Sequence, residues 1–288
     1  MTLSQALQWA IHAFNNHGIN DSHLEARVLL GHVLKLSHAE ILTQSNLDLD
    51  QSQFDDFQEL VNRRLRREPT AYIINNKEFY GFDFYVDSSV LIPRPETELL
   101  VEQAIDFVSE RVNDPTYSGE KVIVADIGTG CGAIAITLAL TLPNISIIAT
   151  DISDAALKVA LRNSRYHKVN KRITFLKGNL LEHLIEPVDL IVANLPYIKT
   201  SELESLPSEI ANFEPIIATD GGNTGLDYIC QLLGEAGDKI RRQGRLLLEI
   251  GHRQERQLFC IINEQFPAKR FQLIPDLNGI NRVIKIDF

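Results

Sequence analysis

Apolar positions in the first seventy residues recur at helical spacing. Leu3, Leu7, Ala10, Ile11 and Phe14 share one face, and the pattern stops at Asn15-Asn16-His17-Gly18. Asp21 or Ser22 can cap a second helix through Leu24, Val28 and Leu29, and Ser37 or His38 opens a third. A fourth runs from about Gln51 through Phe54, Phe57, Leu60 and Val61 to Arg67, ahead of Pro69, with Trp9 as helix core. Over residues 71–92 the period becomes that of strands. Tyr72-Ile73-Ile74 and then Glu78 to Val86 are aromatic and β-branched around Gly81, which predicts a β-hairpin. Pro93 and Pro95 enforce an extended stretch, after which Glu96 or Thr97 begins a helix through Leu99, Leu100, Ala104 and Ile105.

From residue 121 strands alternate with helices. Strands are predicted at Val122–Ile127, Ser146–Thr150, Ile173–Leu176, Asp189–Ala193 and Leu246–Ile250. Helices are predicted at Ala133–Leu142, Ser153 to about His167, Leu226–Arg241 and Gln254–Phe266. Such alternation implies a parallel sheet covered by helices on both faces. Phe271–Ile274 and Arg282–Asp287 flank Asn278-Gly279 with no room for a crossover helix, so the last two strands are expected to run antiparallel. The expected organisation is a helical part over 1–70, a hairpin linker over 71–92 and an α/β domain over 93–288.

Composition narrows the function classes. The 288 residues are 44% hydrophobic and 23% charged, ordinary for a globular chain. No apolar run approaches the ~18 residues of a membrane span. The start, MTLSQALQWA, lacks the basic-then-apolar layout of a secretory signal, so the cytoplasm is the expected compartment. Cys131, Cys230 and Cys260 are too far apart for a disulfide framework or zinc site, and the histidines show no metal-ligand spacing. The net charge is −10, with 8 basic and 12 acidic residues up to position 95 and 20 and 26 beyond it. That balance argues against a protein gripping nucleic acid through phosphates. The exception is Arg63-Arg64-Arg66-Arg67, which reads either as basic residues complementing a helix C-terminus or as a docking surface for an acidic partner.

Chemistry concentrates in the α/β part. The first strand there runs into Asp126-Ile127-Gly128-Thr129-Gly130-Cys131-Gly132-Ala133. This parses as the GxGxxA of dinucleotide-binding folds or as the DxGxGxG of adenosylmethionine enzymes. Asp151, 23 residues after Gly128 at the end of the next strand, suits a ribose in both readings. Asn194-Leu195-Pro196-Tyr197 at the end of the fourth strand separates them, because hydride transfer has no use for it and methyl transfer to nitrogen does. An amide or exocyclic amino nitrogen is a poor nucleophile. It is helped by acceptors for both N–H hydrogens that turn its lone pair toward the methyl group. Asn194 offers a side-chain carbonyl, Leu195 a backbone carbonyl beside Pro196, and Tyr197 a stacking face. A dehydrogenase and a catalytically silent module of the same fold stay open as weaker readings.

Together these residues resemble the release-factor glutamine methyltransferases of the HemK/PrmC type, over nearly the whole chain. The resemblance includes Glu68 to Ile73, the aromatic hairpin to Phe82, and Val90-Leu91-Ile92-Pro93-Arg94-Pro95-Glu96-Thr97-Glu98, its most specific part. It continues through Phe213-Glu214-Pro215, Asp220-Gly221-Gly222, Gly225-Leu226-Asp227 and Leu248-Glu249-Ile250-Gly251. It implies a Rossmann-like class I methyltransferase sheet and methyl transfer from S-adenosylmethionine to the Gln amide of the Gly-Gly-Gln loop of peptide-chain release factors. Asp126, Gly128, Thr129, Gly130, Cys131, Gly132, Asp151, Ile152, Asn179, Leu180 and Asn194 would form the cofactor site. Asn194, Leu195, Pro196, Tyr197 and Arg94 would receive the substrate. Leu195 stands where the family usually has Pro, and Asn179 where it has an acidic residue, though an amide can still accept from the adenine amino group. The helices of 1–70 are expected to bind the body of the release factor. No membrane or direct nucleic-acid contact is expected. The alternative is a nucleic-acid adenine N6-methyltransferase, which shares the Asn-Leu-Pro-Tyr chemistry.

Overall fold

Three N-terminal helices start at reciprocal side-chain caps. Thr2 with Gln5, Ser37 with Glu40 and Asp50 with Gln53 each satisfy two backbone N–H groups, opening Leu3–Asn16, His38–Thr43 and Gln51–Leu65. The helix Ser22–Leu34 follows a left-handed Asp21 with no side-chain cap. In the computed structural model, which describes residues 1–114 and 121–288, these helices belong to one of two units. The first unit is Met1–Asn76 with Pro207–Phe213, the second Lys77–Leu206 with Glu214–Phe288.

In the first unit Leu3, Ala10, Phe14, Leu29, Leu30, Phe57 and Val61 form a shared core. Trp9 packs edge-on to Phe54 and Phe57, with ring centroids 5.4 and 6.1 Å away. Tyr72 and Ile73 are not strand. They sit in a single helical turn, Thr70–Ile73, whose N–H groups turn back to the Pro69 carbonyl, and a four-residue helix is too short to show a period. The arginine cluster is largely committed inside this unit. Arg63 makes a forked pair with Glu68, at 2.8 and 2.5 Å. Arg64 is buried and reaches Glu25 at 3.3 Å and Glu209 at 3.2 Å. Arg67 joins Glu209 at 3.3 Å and donates to the His17 carbonyl at 2.6 Å. The four-arginine docking surface is therefore corrected: three of these side chains fasten residues 207–213 and neighbouring segments to the helices.

The second unit opens with the hairpin β1 (Lys77–Phe79) and β2 (Phe82–Phe84). Its turn residues Tyr80 and Gly81 both have positive φ (54° and 77°), the type I′ conformation that matches strand twist. The main sheet contains β3 (Val122–Ile127), β4 (Ile145–Asp151), β5 (Ile173–Lys177), β6 (Val188–Ala193), β7 (Ile240–Glu249), β8 (Arg270–Pro275) and β9 (Asn281–Asp287). Their order is β5-β4-β3-β6-β7-β9-β8, parallel from β5 to β7. β9 lies antiparallel between β7 and β8. Helices cover both faces, so every residue of β6 is buried and the central strands read as continuous apolar runs.

One boundary differs from the sequence expectation. The helix predicted to Arg241 ends at Ala236, and β7 starts at Ile240. Pairing skips from Val188–Ile240 to Leu190–Arg245, with Gln243 left-handed, so the polar stretch 241–244 is an irregularity within a strand. Chain order reverses between β3 and β6, which puts a crevice at the carboxyl ends of the strands. Among the described residues no helix is long and apolar enough to cross a membrane.

Candidate active site

The glycine loop is held by the ends of two strands. Gly128 and Thr129 both donate to the Thr150 carbonyl at 2.9 Å, and Gly130 donates to Asp151 Oδ2 at 2.9 Å. Gly132 has φ +84°, and a Cβ there would lie 2.8 Å from Ile136 Cδ1 and 3.2 Å from Ala160 Cβ. Only glycine permits the helix Ala133–Thr141 to leave the loop there. Behind the loop, buried Asp126 accepts from Thr129 Oγ1 at 2.6 Å and from the Ala135 N–H at 3.1 Å. Its Oδ1 has no partner, and burial pushes the carboxyl up to about 7.

Asp151 accepts one backbone N–H on each oxygen, from Gly130 and, at 2.8 Å, from Ser153. Burial raises its pKa against those bonds. A carboxylate oxygen has two lone pairs, so one on each remains for a pair of vicinal hydroxyls. A Cβ on Gly130 would meet nothing within 4 Å, so this wall of the crevice is open to an incoming group.

Most of the expected residues line one crevice. Gly128, Thr129, Gly130, Cys131, Asp151, Ile152, Asn179, Leu180, Asn194, Leu195, Pro196 and Arg94 are on its wall. The crevice is open on one side, and its empty space, solvent at the mouth included, is about 1110 Å³. Asp126 and Gly132 lie behind the glycine loop, and Tyr197 sits off the wall with its hydroxyl donating to Glu249 at 3.4 Å. Burial first, then the Glu249 charge, raises the Tyr197 pKa, so this phenol stays protonated.

The Asn194 amide is oriented. Its Nδ2 donates to Thr97 Oγ1 at 3.0 Å, which leaves Oδ1 as the acceptor. The loop around it is fastened from two sides. Gln254 Nε2 donates to the carbonyls of Tyr197 (2.9 Å) and Gly225 (3.1 Å), and Gly221 N–H donates to the Ile198 carbonyl at 2.6 Å. A Cβ at Gly221 would stand 2.7 Å from the Pro196 carbonyl oxygen and 2.8 Å from Tyr197 Cα, both backbone atoms. Gly221→Ala is therefore expected to displace the Asn194 loop and lower turnover by about 10–100-fold, since misplacing a reacting group by ~1 Å costs up to 10². Cofactor affinity, read by calorimetry, should move far less.

Arg94 is on the wall, but its Nη2 donates to Glu214 at 2.5 Å. Burial raises the pKa of Glu214 while Arg94 draws it down. Sequence reasoning missed Thr97, Glu214, Glu249 and Gln254 as parts of the site, and Ile217, Ala218 and Tyr228 on its wall. Glu249 had a signal, a charge interrupting the apolar run Leu246–Ile250. Gln254 had none.

Residues 5–74 match the PrmC N-terminal domain family, and residues 102–211 match the methyltransferase small domain family. The chain is 38% identical over 296 residues to a bifunctional methyltransferase of Rickettsia typhi, covering 99% of this chain but 57% of that protein's length. It is likewise 38% identical over 283 residues to a release factor glutamine methyltransferase of Moorella thermoacetica, covering 98% of this chain and 97% of that one. Among solved structures, the hMettl16 catalytic domain in complex with MAT2A 3'UTR hairpin 6 superposes with a TM-score of 0.57 at 15% identity, over 83% of each chain, a likeness of fold alone. With a relative at this identity matched over nearly its full length, the chain belongs to the release factor glutamine methyltransferase family.

Proposed function

We propose that this chain transfers a methyl group from S-adenosylmethionine to the side-chain amide nitrogen of the Gln in the Gly-Gly-Gln loop of peptide-chain release factors. One observation carries the reading: Asn194, its amide turned by Thr97, stands on the wall of the same crevice as the glycine loop. The residues fit the cofactor. Asp151 keeps two lone pairs for ribose hydroxyls, Asn179 lies at the end of β5 for the adenine amino group, and the open face of Gly130 accepts the amino-acid end.

When bound, S-adenosylmethionine supplies an electrophilic methyl group. Asn194 Oδ1 takes one N–H of the substrate amide and the Leu195 carbonyl the other, which turns the nitrogen lone pair out of the amide plane's delocalisation. Both acceptors are neutral, so they match a neutral amide beside a cation without trapping that cation in the ground state. The nitrogen sheds its proton after transfer, and no strong base is needed. A three-residue loop offers too little contact to select one protein, so the helices of residues 1–70 are assigned to the body of the release factor. Work on such a substrate places the protein in the cytoplasm.

The test is incubation with methyl-labelled S-adenosylmethionine and, separately, a release factor, naked ribosomal RNA and DNA. Label in the release factor alone is expected. Label in nucleic acid alone would favour the adenine methyltransferase reading.

A further inference from the structure

Asn163 is a buried polar side chain that the reaction above does not use. It lies on the helix Asp154–Tyr166 at 1% exposure, and its amide is committed to backbone on two sides. Its Oδ1 accepts from the Tyr85 N–H at 2.9 Å. Its Nδ2 donates to the Tyr85 carbonyl at 3.0 Å and to the Cys131 carbonyl at 2.9 Å. Tyr85 follows β2 of the hairpin, and Cys131 belongs to the glycine loop on the crevice wall. One buried amide thus joins two backbone segments far apart in sequence.

The planar amide gives this joint a direction. Two of its three bonds go to Tyr85, so the hairpin backbone sets the amide plane, and that plane aims the remaining N–H at Cys131. The Cys131 carbonyl shares a peptide unit with the Gly132 N–H, which donates to the Thr129 carbonyl at 2.8 Å. The peptide between Cys131 and Gly132 is therefore held at both ends. Gly130 and Gly132 flank Cys131 at φ +56° and +84°, so the shape of the loop depends on such restraint. The hairpin in turn is seated on the end of the same helix. His167 Nε2 donates to the Asp83 carbonyl at 2.7 Å, and its ring centroid lies 5.3 Å from that of Phe84. The Arg162 guanidinium covers the Tyr85 ring at 3.3 Å.

We propose that Asn163 is a positioning residue for the cofactor loop, and that through it the affinity for S-adenosylmethionine depends on how the hairpin is seated. With the hairpin in place, Tyr85 holds the amide and the amide holds the Cys131 carbonyl, so the loop is preformed. When the hairpin lifts, Tyr85 withdraws two bonds at once, and nothing fixes the plane that aimed at Cys131. The loop regains freedom that must be removed again on binding, which weakens affinity. The coupling is reciprocal: a loop steadied by cofactor steadies Asn163, and Asn163 steadies the hairpin. Residues 77–86 thus act as a strap on the cofactor site, although none of them is on the crevice wall.

This inference rests on the glycine loop as the cofactor site, and the experiment tests that separately. S-adenosylmethionine affinity is measured by calorimetry for wild type, Asn163→Ala, His167→Ala and the double variant. Hydrogen exchange at the amides of residues 77–86 is followed with and without the cofactor. Asn163→Ala should raise the dissociation constant about 10-fold, on the scale of one net hydrogen bond. His167→Ala loosens the hairpin without touching the loop and should raise it about threefold. The double variant should be no weaker than Asn163→Ala, because without the amide the hairpin has nothing to transmit. The cofactor should slow exchange across 77–86 in wild type and leave it unchanged in Asn163→Ala, which a general loss of stability would not produce. With a release factor as substrate, the KM for S-adenosylmethionine should rise in both single variants far more than kcat falls. Wild-type affinity in either single variant, multiplying losses in the double variant, or hairpin protection by cofactor that persists in Asn163→Ala would overturn the proposal. If thermal unfolding shows that Asn163→Ala does not fold, the other two measurements decide. Unchanged affinity in His167→Ala, or wild-type exchange that the cofactor does not move, then overturns it. Absence of S-adenosylmethionine binding by wild type would remove the cofactor site itself, and this inference with it.

Discussion

Asn194→Ala is expected to lower methyl transfer by ~10²-fold or more, the scale of losing one preorganised polar group at a reacting centre. Asn194 donates to Thr97 and lines the crevice without any bond to the glycine loop. Cofactor affinity should therefore change little, and the loss should appear in kcat. Asn194→Asp is the more informative change. A carboxylate there has no hydrogen to give Thr97, whose hydroxyl must donate instead, so the orienting contact is reversed, and it adds a negative charge beside the sulfonium. Binding of S-adenosylmethionine should be retained or tightened while turnover is lost, because attraction to the cation in the ground state does not stabilise the transition state. Calorimetry and single-turnover kinetics check the two halves separately, and wild-type turnover by either variant would remove Asn194 from its role.

Asp151→Ala is expected to act on the cofactor. A charged hydrogen bond is worth ~1.5–3 kcal/mol, so the dissociation constant for S-adenosylmethionine should rise about 10–150-fold. The structure adds a second route to the same loss, since Asp151 also holds the Gly130 N–H and the Ser153 N–H. Asp151→Asn divides the two routes. Its single carbonyl oxygen can hold one backbone N–H, while its NH₂ faces the other donor. If the loop contact dominates, Asn should be nearly as poor as Ala. If ribose contact dominates, Asn should recover part of the affinity. NAD should show no saturable binding to wild type. Tight NAD binding with none for S-adenosylmethionine would contradict the methyltransferase assignment.

The α/β alternation was legible because buried parallel strands make short apolar runs and helices make long periodic ones. Apart from β7, which begins at Ile240 rather than near Leu246, each strand from Val122 to Asp287 lay close to where the pattern put it. Local patterns failed where structure depends on partners distant in sequence. Tyr72-Ile73-Ile74 is β-branched and aromatic, yet the Pro69 carbonyl gathers it into one helical turn. Arg241 reads as the end of a helix and polar Arg242 to Gly244 as the loop after it, yet the stretch is carried through a strand by pairing on both sides of the irregularity and by Arg241 reaching buried Asp189 at 2.9 Å.

The site followed the same rule. The glycine loop and Asp151 sit at strand ends that the pattern locates, so their meeting could be inferred. The partner of Asn194 could not, because Thr97 lies 97 residues away and only the folded sheet brings them to 3.0 Å. Arg64 looked like a surface charge because its partner Glu209 is 145 residues further along the chain.

The central claim is that the methyl group goes to a glutamine side-chain nitrogen set by Asn194. It is tested most directly by treating an unmodified release factor with this protein and S-adenosylmethionine and sequencing the product by tandem mass spectrometry. The account predicts one added methyl, localised to the side chain of the Gln in Gly-Gly-Gln and missing when Asn194→Ala replaces the wild type. A methyl at any other residue, or equal modification by Asn194→Ala, would contradict it.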